Sequence, residues 1–156
     1  MTFTDCINIY VVSGKGGNGI TSFCRRKFVP KGGPDGGNGG NGGNVLIKGS
    51  DNINDFYHLR FTDIYKAGNG CDGRKNRKTG KKGKNIELLV PFGTEVFDND
   101  TGFFLGDISK NNISLLLAKG GNGGFGNSCF KSGRNVIPTK NTLGSVPEVK
   151  FLRLEL

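Results

Sequence analysis

Histidine occurs once in this chain, at His58, and tryptophan not at all. One imidazole leaves little room for a Ser/His/Asp or Cys/His arrangement, and none stands out. The four cysteines, Cys6, Cys24, Cys71 and Cys129, lie far apart without a CxxC pair. Together with His58 they make no credible zinc site, and they read as buried or partly exposed free thiols in a reducing compartment. His58 itself, in DFYHLRF, is expected to be a packed strand residue. No run approaches the roughly 18 apolar residues of a membrane span. The opening MTFTDCINIYVV has neither the basic region and small-residue cleavage site of a secretory signal nor the arginines of a transit sequence. A cytoplasmic protein is expected.

Acidic residues are also few, 13 against 22 Lys and Arg, which gives a net charge of +9. That balance points to an anionic partner. The charge is uneven, because RKNRKTGKKGK at 74–84 holds seven of the 22 cations. Such a run is often a solvated loop, but in a basic chain with glycine-rich loops nucleic acid is the better reading.

Glycine is the residue in excess, 28 of 156. It falls in blocks at about 13–44, 67–84 and 119–134, and residues 36–44 read Gly-Gly-Asn three times. A period of three fits neither an α-helix nor a strand. It fits the polyproline II helix, with three residues per turn. Glycine on two sides of each turn lets several such helices pack backbone to backbone, with Asn amides left to hydrogen-bond. Composition of this kind usually marks a flexible linker. Here the blocks alternate with strands, which favours structure.

Alternation predicts strands at Phe3–Val12, Val45–Lys48, Phe56–Phe61, Ile86–Val90, Ile113–Ala118 and Val149–Leu156, with Ile20–Cys24 extended. AspAsnAspThrGly at 98–102 is a turn signal, so 94–108 is predicted to be a hairpin. No window shows capped helical amphipathicity. The chain reads as an all-β sandwich or barrel with glycine-rich excursions at one end. The flush ending at Glu155–Leu156 looks like a domain boundary.

Phosphate-loop chemistry fails on inspection. GKGGNGITS at 14–22 follows a strand but lacks the Gly-Lys-Ser/Thr ending. Asp35, Asp51, Asp55, Asp63 and Asp72 are the acid–base candidates, yet most sit beside turn residues. No catalytic constellation emerges. The cations make the stronger case. Arg25, Arg26, Lys27 and Lys31 flank the first block; Arg74, Lys75, Arg77, Lys78, Lys81, Lys82 and Lys84 decorate the second. Lys119, Lys131, Arg134 and Lys140 flank the third. Loops of this kind on a β platform suit the phosphates of a folded RNA, and Phe28, Phe125 and Phe130 are candidates for stacking on bases.

GGNG-x-x-SF at 16–23, RRKFVPKGGPDGGNGGNGGNV at 25–45, TGKKGKN at 79–85, VPFGTEV at 90–96 and AKGGNGGFGNSCFKS at 118–132 together resemble the Obg family of ribosome-associated GTPases. The likeness covers residues 1–156 as one N-terminal Obg domain. It implies the Obg fold, a jelly-roll-like β-barrel base bearing a bundle of glycine-rich polyproline II helices. It also implies docking on ribosomal RNA of the large subunit near the peptidyl-transferase region, late subunit assembly, and growth or stress control. GTP and Mg would belong to a GTPase domain beyond Leu156, so this chain is expected to need no cofactor or metal, to be no enzyme, to touch no membrane and to be a monomer. SVPEV at 145–149 departs from the Pro-Gly-Glu-rich turn of the family. The competing reading is a protein-interaction module that couples a GTPase domain's nucleotide state to partner proteins.

Overall fold

A computed structural model describes residues 6–23, 33–59, 62–130 and 141–156. In β1 (Cys6–Val12) the alternate residues Ile9 and Val11 are fully buried while Asn8 and Tyr10 face out. β8 (Val149–Glu155) repeats the pattern with Leu152 and Leu154. The two strands pair antiparallel from Cys6 with Glu155 to Val12 with Val149, which aligns their apolar faces. Outside, Tyr10 stacks on Phe151 with ring centroids 4.2 Å apart.

β3 (Ile64–Lys66) adds to β1 in parallel, and β5 (Glu95–Asp98) with β6 (Phe104–Asp107) extends the far side. The result is a five-stranded sheet in the order β3-β1-β8-β5-β6. A second sheet of three strands runs β4 (Ile86–Val90), β2 (Val45–Gly49), β7 (Ser114–Ala118). Val45, Ile47, Leu88, Val90 and Leu117 from this sheet share one core with Ile9, Val11, Val96, Leu152 and Leu154 from the other. Each fully buried aliphatic side chain contributes roughly 1.5–3 kcal/mol of transfer free energy. The fold is all-β, as expected, and the predicted hairpin is β5–β6, with a bulge between Val96 and Phe97.

Two readings need correction. The expected strand at 56–61 is a short 3-10 turn at Tyr57–Leu59, within the described part of that span. Phe56 and Leu59, three apart, are the buried pair, and the Asp55 carboxylate accepts from the Tyr57 amide to start the turn. His58 is accordingly exposed rather than packed in a strand, with Nε2 2.8 Å from the Leu89 carbonyl. Cys6, Cys71 and Cys129 are exposed, and Cys24 lies outside the described residues. Tyr65 donates to the Leu59 carbonyl at 3.1 Å. Burial pushes its phenol up, the Asp63 charge adds to this, and a hydrogen bond with Thr62 opposes it.

The glycine blocks do not pair as strands. Every third amide of 14–20 donates to 36–43: Gly14 to Gly43 O, Gly17 to Gly40 O and Ile20 to Gly37 O, at 2.8–3.3 Å. The same period of three joins Gly40 and Gly43 to the carbonyls of Cys71 and Gly68. It also joins Gly39 and Gly42 to those of Gly124 and Gly121. Gly80 and Gly83 donate to the carbonyls of Asn38 and Asn41. Segment 36–43 is thus a central extended helix with a neighbour on each face. The third residue of each triplet locks the register: Asn38, Asn41 and Asn44 Oδ1 accept from the amides of Gly126, Gly123 and Gly120 at 2.9, 2.8 and 2.7 Å. With no helix or sheet ladder, these bonds satisfy backbone groups that burial would otherwise leave unpaired.

One side chain closes the bundle from within. Asn127 is fully buried; its Oδ1 accepts from the Gly36 and Ser22 amides at 2.8 and 3.2 Å, and its Nδ2 donates to the Ser22 carbonyl at 2.9 Å. Asn127→Ala would orphan the Gly36 and Ser22 amides, each costing about 1–3 kcal/mol, while the Ser22 carbonyl keeps the Asp35 amide. We expect a loss of about 3 kcal/mol or more in urea unfolding. An unchanged midpoint would mean that water replaces the amide without penalty.

Candidate nucleic-acid interface

The basic block grows out of this bundle. Gly68, Cys71 and Arg74 donate their amides to the carbonyls of Lys84, Lys81 and Lys78, all at 2.9 Å. Lys78, Lys81 and Lys84 therefore recur once per turn of one polyproline II segment. Their spacing is roughly 9 Å at about 3.1 Å rise per residue. All three side chains are exposed, as are those of Arg74, Lys75, Arg77 and Lys82. None of the seven makes an ion pair among the described residues. A like-charged, unpaired cluster of this kind repels itself and gains by meeting an anion.

The tip of the block is held in an unusual conformation. Asn76 and Arg77 have φ of 61° and 57°, the only positive values at non-glycine residues among those described. For a bulky L-residue such as Arg77 this costs roughly 1–2 kcal/mol. Asp35 supplies the compensation. Its carbonyl accepts from the Arg77 amide at 2.7 Å, and its Oδ2 accepts from the Asn76 amide at 3.1 Å. The Asp35 amide in turn donates to Ser22 O at 2.9 Å. Asp35 is buried, at 6% exposure, and its second oxygen, Oδ1, has no hydrogen-bond partner among the described residues. It lines a cavity of about 480 Å³ with Thr21, Ser22, Phe23, Lys75 and Asn76. In the sequence, Asp35 stands out only as an acid–base candidate or a turn residue. Its work is to fix the cationic tip to the central helix.

Of the residues predicted to contact RNA, the structure brings together Arg74, Lys75, Arg77, Lys78, Lys81, Lys82 and Lys84. Arg25, Arg26, Lys27, Lys31, Lys131, Arg134 and Lys140 lie outside the described residues, as do Phe28 and the side chain of Phe130. Lys119 is exposed, and its amide donates to Glu148 Oε2 at 2.9 Å, so SVPEV is tied to the third glycine block. Among the described residues no three His, Cys, Asp or Glu side chains gather as metal ligands, and no helix is long and apolar enough to cross a membrane.

The glycine bundle on a two-sheet base, with its cationic tip, covers nearly the whole chain, and so does a family match: the GTP1/OBG model aligns with residues 4–156. The chain belongs to the GTP1/OBG family. It is 46% identical over all 156 residues to a GTPase Obg of Buchnera aphidicola from Acyrthosiphon pisum, covering 47% of that protein. A GTPase Obg of Buchnera aphidicola from Baizongia pistaciae is 47% identical, with 46% of its length covered. One from a Psychrobacter species is also 47% identical, with 39% covered. The chain spans less than half the length of these GTP1/OBG relatives. The GTPase activity in their names is that of longer proteins.

Proposed function

We propose that this chain is a non-catalytic ribosomal-RNA-binding domain that docks an Obg-type GTPase on the large ribosomal subunit. The observation that carries this reading is the row of exposed, unpaired cations on a bundle whose backbone is hydrogen-bonded every third residue. A scaffold already ordered in this way loses little conformational entropy on binding. Its glycines let backbone approach an RNA groove without side-chain bulk, while Lys and Arg displace counterions from phosphates. Docking near the peptidyl-transferase region and a part in late subunit assembly and growth or stress control follow from the family likeness. GTP and Mg would act in a GTPase domain of the full-length protein, with which this domain would also make contact.

A second reading, a protein-interaction module that couples nucleotide state to partners, draws support from the β5–β6 hairpin. Phe103 and Phe104 there are 71% and 57% exposed. Co-sedimentation of the chain with purified large ribosomal subunits across a salt titration separates the two. We expect the affinity to fall about a thousandfold between roughly 50 and 200 mM salt, as for about six phosphate contacts. Binding that ignores salt and survives nuclease would favour the protein partner instead.

A further inference from the structure

Beside the cationic tip the bundle carries a surface of different character. A groove of about 540 Å³ runs over a floor of Gly39, Gly123 and Gly124, and among the described residues no charged one lines it. Its walls include Phe125 and Leu143, which are 55% and 74% exposed. The backbone that carries the Phe125 ring is fixed. The Phe125 amide donates to Thr142 Oγ1 at 2.6 Å, and its carbonyl accepts from the Thr142 amide at 2.9 Å. On the other side, a Cβ at Gly19 would overlap that same carbonyl, so the backbone has no room to retreat.

The polar rim is equally fixed. Asn38 and Asn41 line the groove and spend Oδ1 on the backbone amides of Gly126 and Gly123. An oxygen that must accept a backbone N–H settles the orientation of each amide. Both Nδ2 groups are left as donors with no acceptor among the described residues. Thr79 also lines the groove, and its neighbour Lys78 and the nearby Lys81 are exposed cations on the adjacent helix. A neutral slot with an aromatic wall and amide donors, bordered by cations, matches a nucleotide more closely than it matches a bare phosphate. The base would enter the slot and the phosphate would meet the lysines.

We propose that this groove takes an unstacked RNA base, stacked on Phe125, with its edge on the Asn38 and Asn41 amides and its phosphate at Lys78 and Lys81. This deepens the RNA-docking reading and rests on it. Every base has a π-face, so stacking of this kind tolerates sequence, while amide donors select for edge acceptors.

The test uses short single-stranded RNA carrying 2-aminopurine, whose fluorescence changes on stacking, with wild type, Phe125→Leu and Phe125→Tyr. The ring is exposed, so all three should unfold at matching urea midpoints. We expect Phe125→Tyr to keep both binding and the fluorescence change. Phe125→Leu should lose the change and bind about tenfold more weakly, with the salt slope unaltered. If Phe125→Leu matches wild type in both readouts while RNA still binds, the groove inference is overturned and the docking reading stands. That is also the result expected if the slot receives an aromatic side chain of a protein. If wild type does not bind this RNA at low salt, the groove inference is overturned; if it also fails to co-sediment with large subunits, the docking reading falls with it.

Discussion

Gly39→Ala should leave the chain unable to fold. Gly39 faces the segment 14–20, and a Cβ there would overlap the Gly17 carbonyl. That carbonyl cannot swing aside, because Gly17 donates its own amide to Gly40 O at 2.8 Å and accepts from Gly124 N at 2.8 Å. Gly39 is bonded through its amide to Gly124 O, also at 2.8 Å. Admitting one methyl means separating backbones that touch on both sides. The successive bonds of a period-three ladder would then open together. A Gly→Ala change at an unstrained, open site stabilises by about 0.4–1 kcal/mol through the unfolded chain. Here the steric term should exceed about 4 kcal/mol, a large part of the 5–15 kcal/mol typical of a whole domain. Gly102→Ala is the contrast: φ is +77° but nothing lies within 4 Å of the added Cβ, so the cost should be only about 1 kcal/mol. Circular dichroism with urea unfolding would separate them. Equal midpoints would mean that the bundle spreads to accept side chains.

How much of this was legible depends on how local the signal is. The triplet at 36–44 announces its own geometry. Two glycines per turn need neighbours on two faces, and the structure supplies them, with Gly39 against Gly17 and Gly40 against Lys81. Which segments become those neighbours was not legible, because 14–20, 67–74, 78–84 and 120–127 meet the centre over long sequence separations. The alternation of β1 and β8 was readable for the same local reason. β3 was missed: it is three residues long with Ile64 and Lys66 exposed, and only its parallel register with β1 makes it a strand. The turn at Tyr57–Leu59 was misread because Phe56, Tyr57 and Phe61 suggest a strand by composition, while burial follows a spacing of three. At the interface, the crowding of cations at 74–84 was plain in the sequence. The part played by Asp35 was not, since its bond to Asn76 spans 41 residues.

That bond also makes the cationic tip a clean target. Replacing Arg74, Lys75, Arg77 and Lys78 by Glu exchanges four positive charges for four negative ones. All four side chains are exposed and unpaired, and Asp35 holds the tip through backbone amides at Asn76 and Arg77, which the substitutions keep. Stability should therefore stay within about 0.5 kcal/mol of wild type for each change. Binding should not. Each lost phosphate contact lowers the salt slope by about one unit and weakens binding across all RNA sequences alike. Reversal adds repulsion to that loss. We expect at least a hundredfold weaker co-sedimentation with large ribosomal subunits at low salt and a slope shallower by about three to four. Gln at the same four positions should show a similar loss of slope but bind more tightly than Glu, because it removes attraction without adding repulsion. A shallower slope in both variants, with affinity in the order wild type, Gln, Glu, is the signature of direct phosphate contact. Unchanged binding in the Glu variant would take the contact away from this tip and leave the cations bordering the other two glycine blocks, Arg25 to Lys31 and Lys131 to Lys140, to carry it.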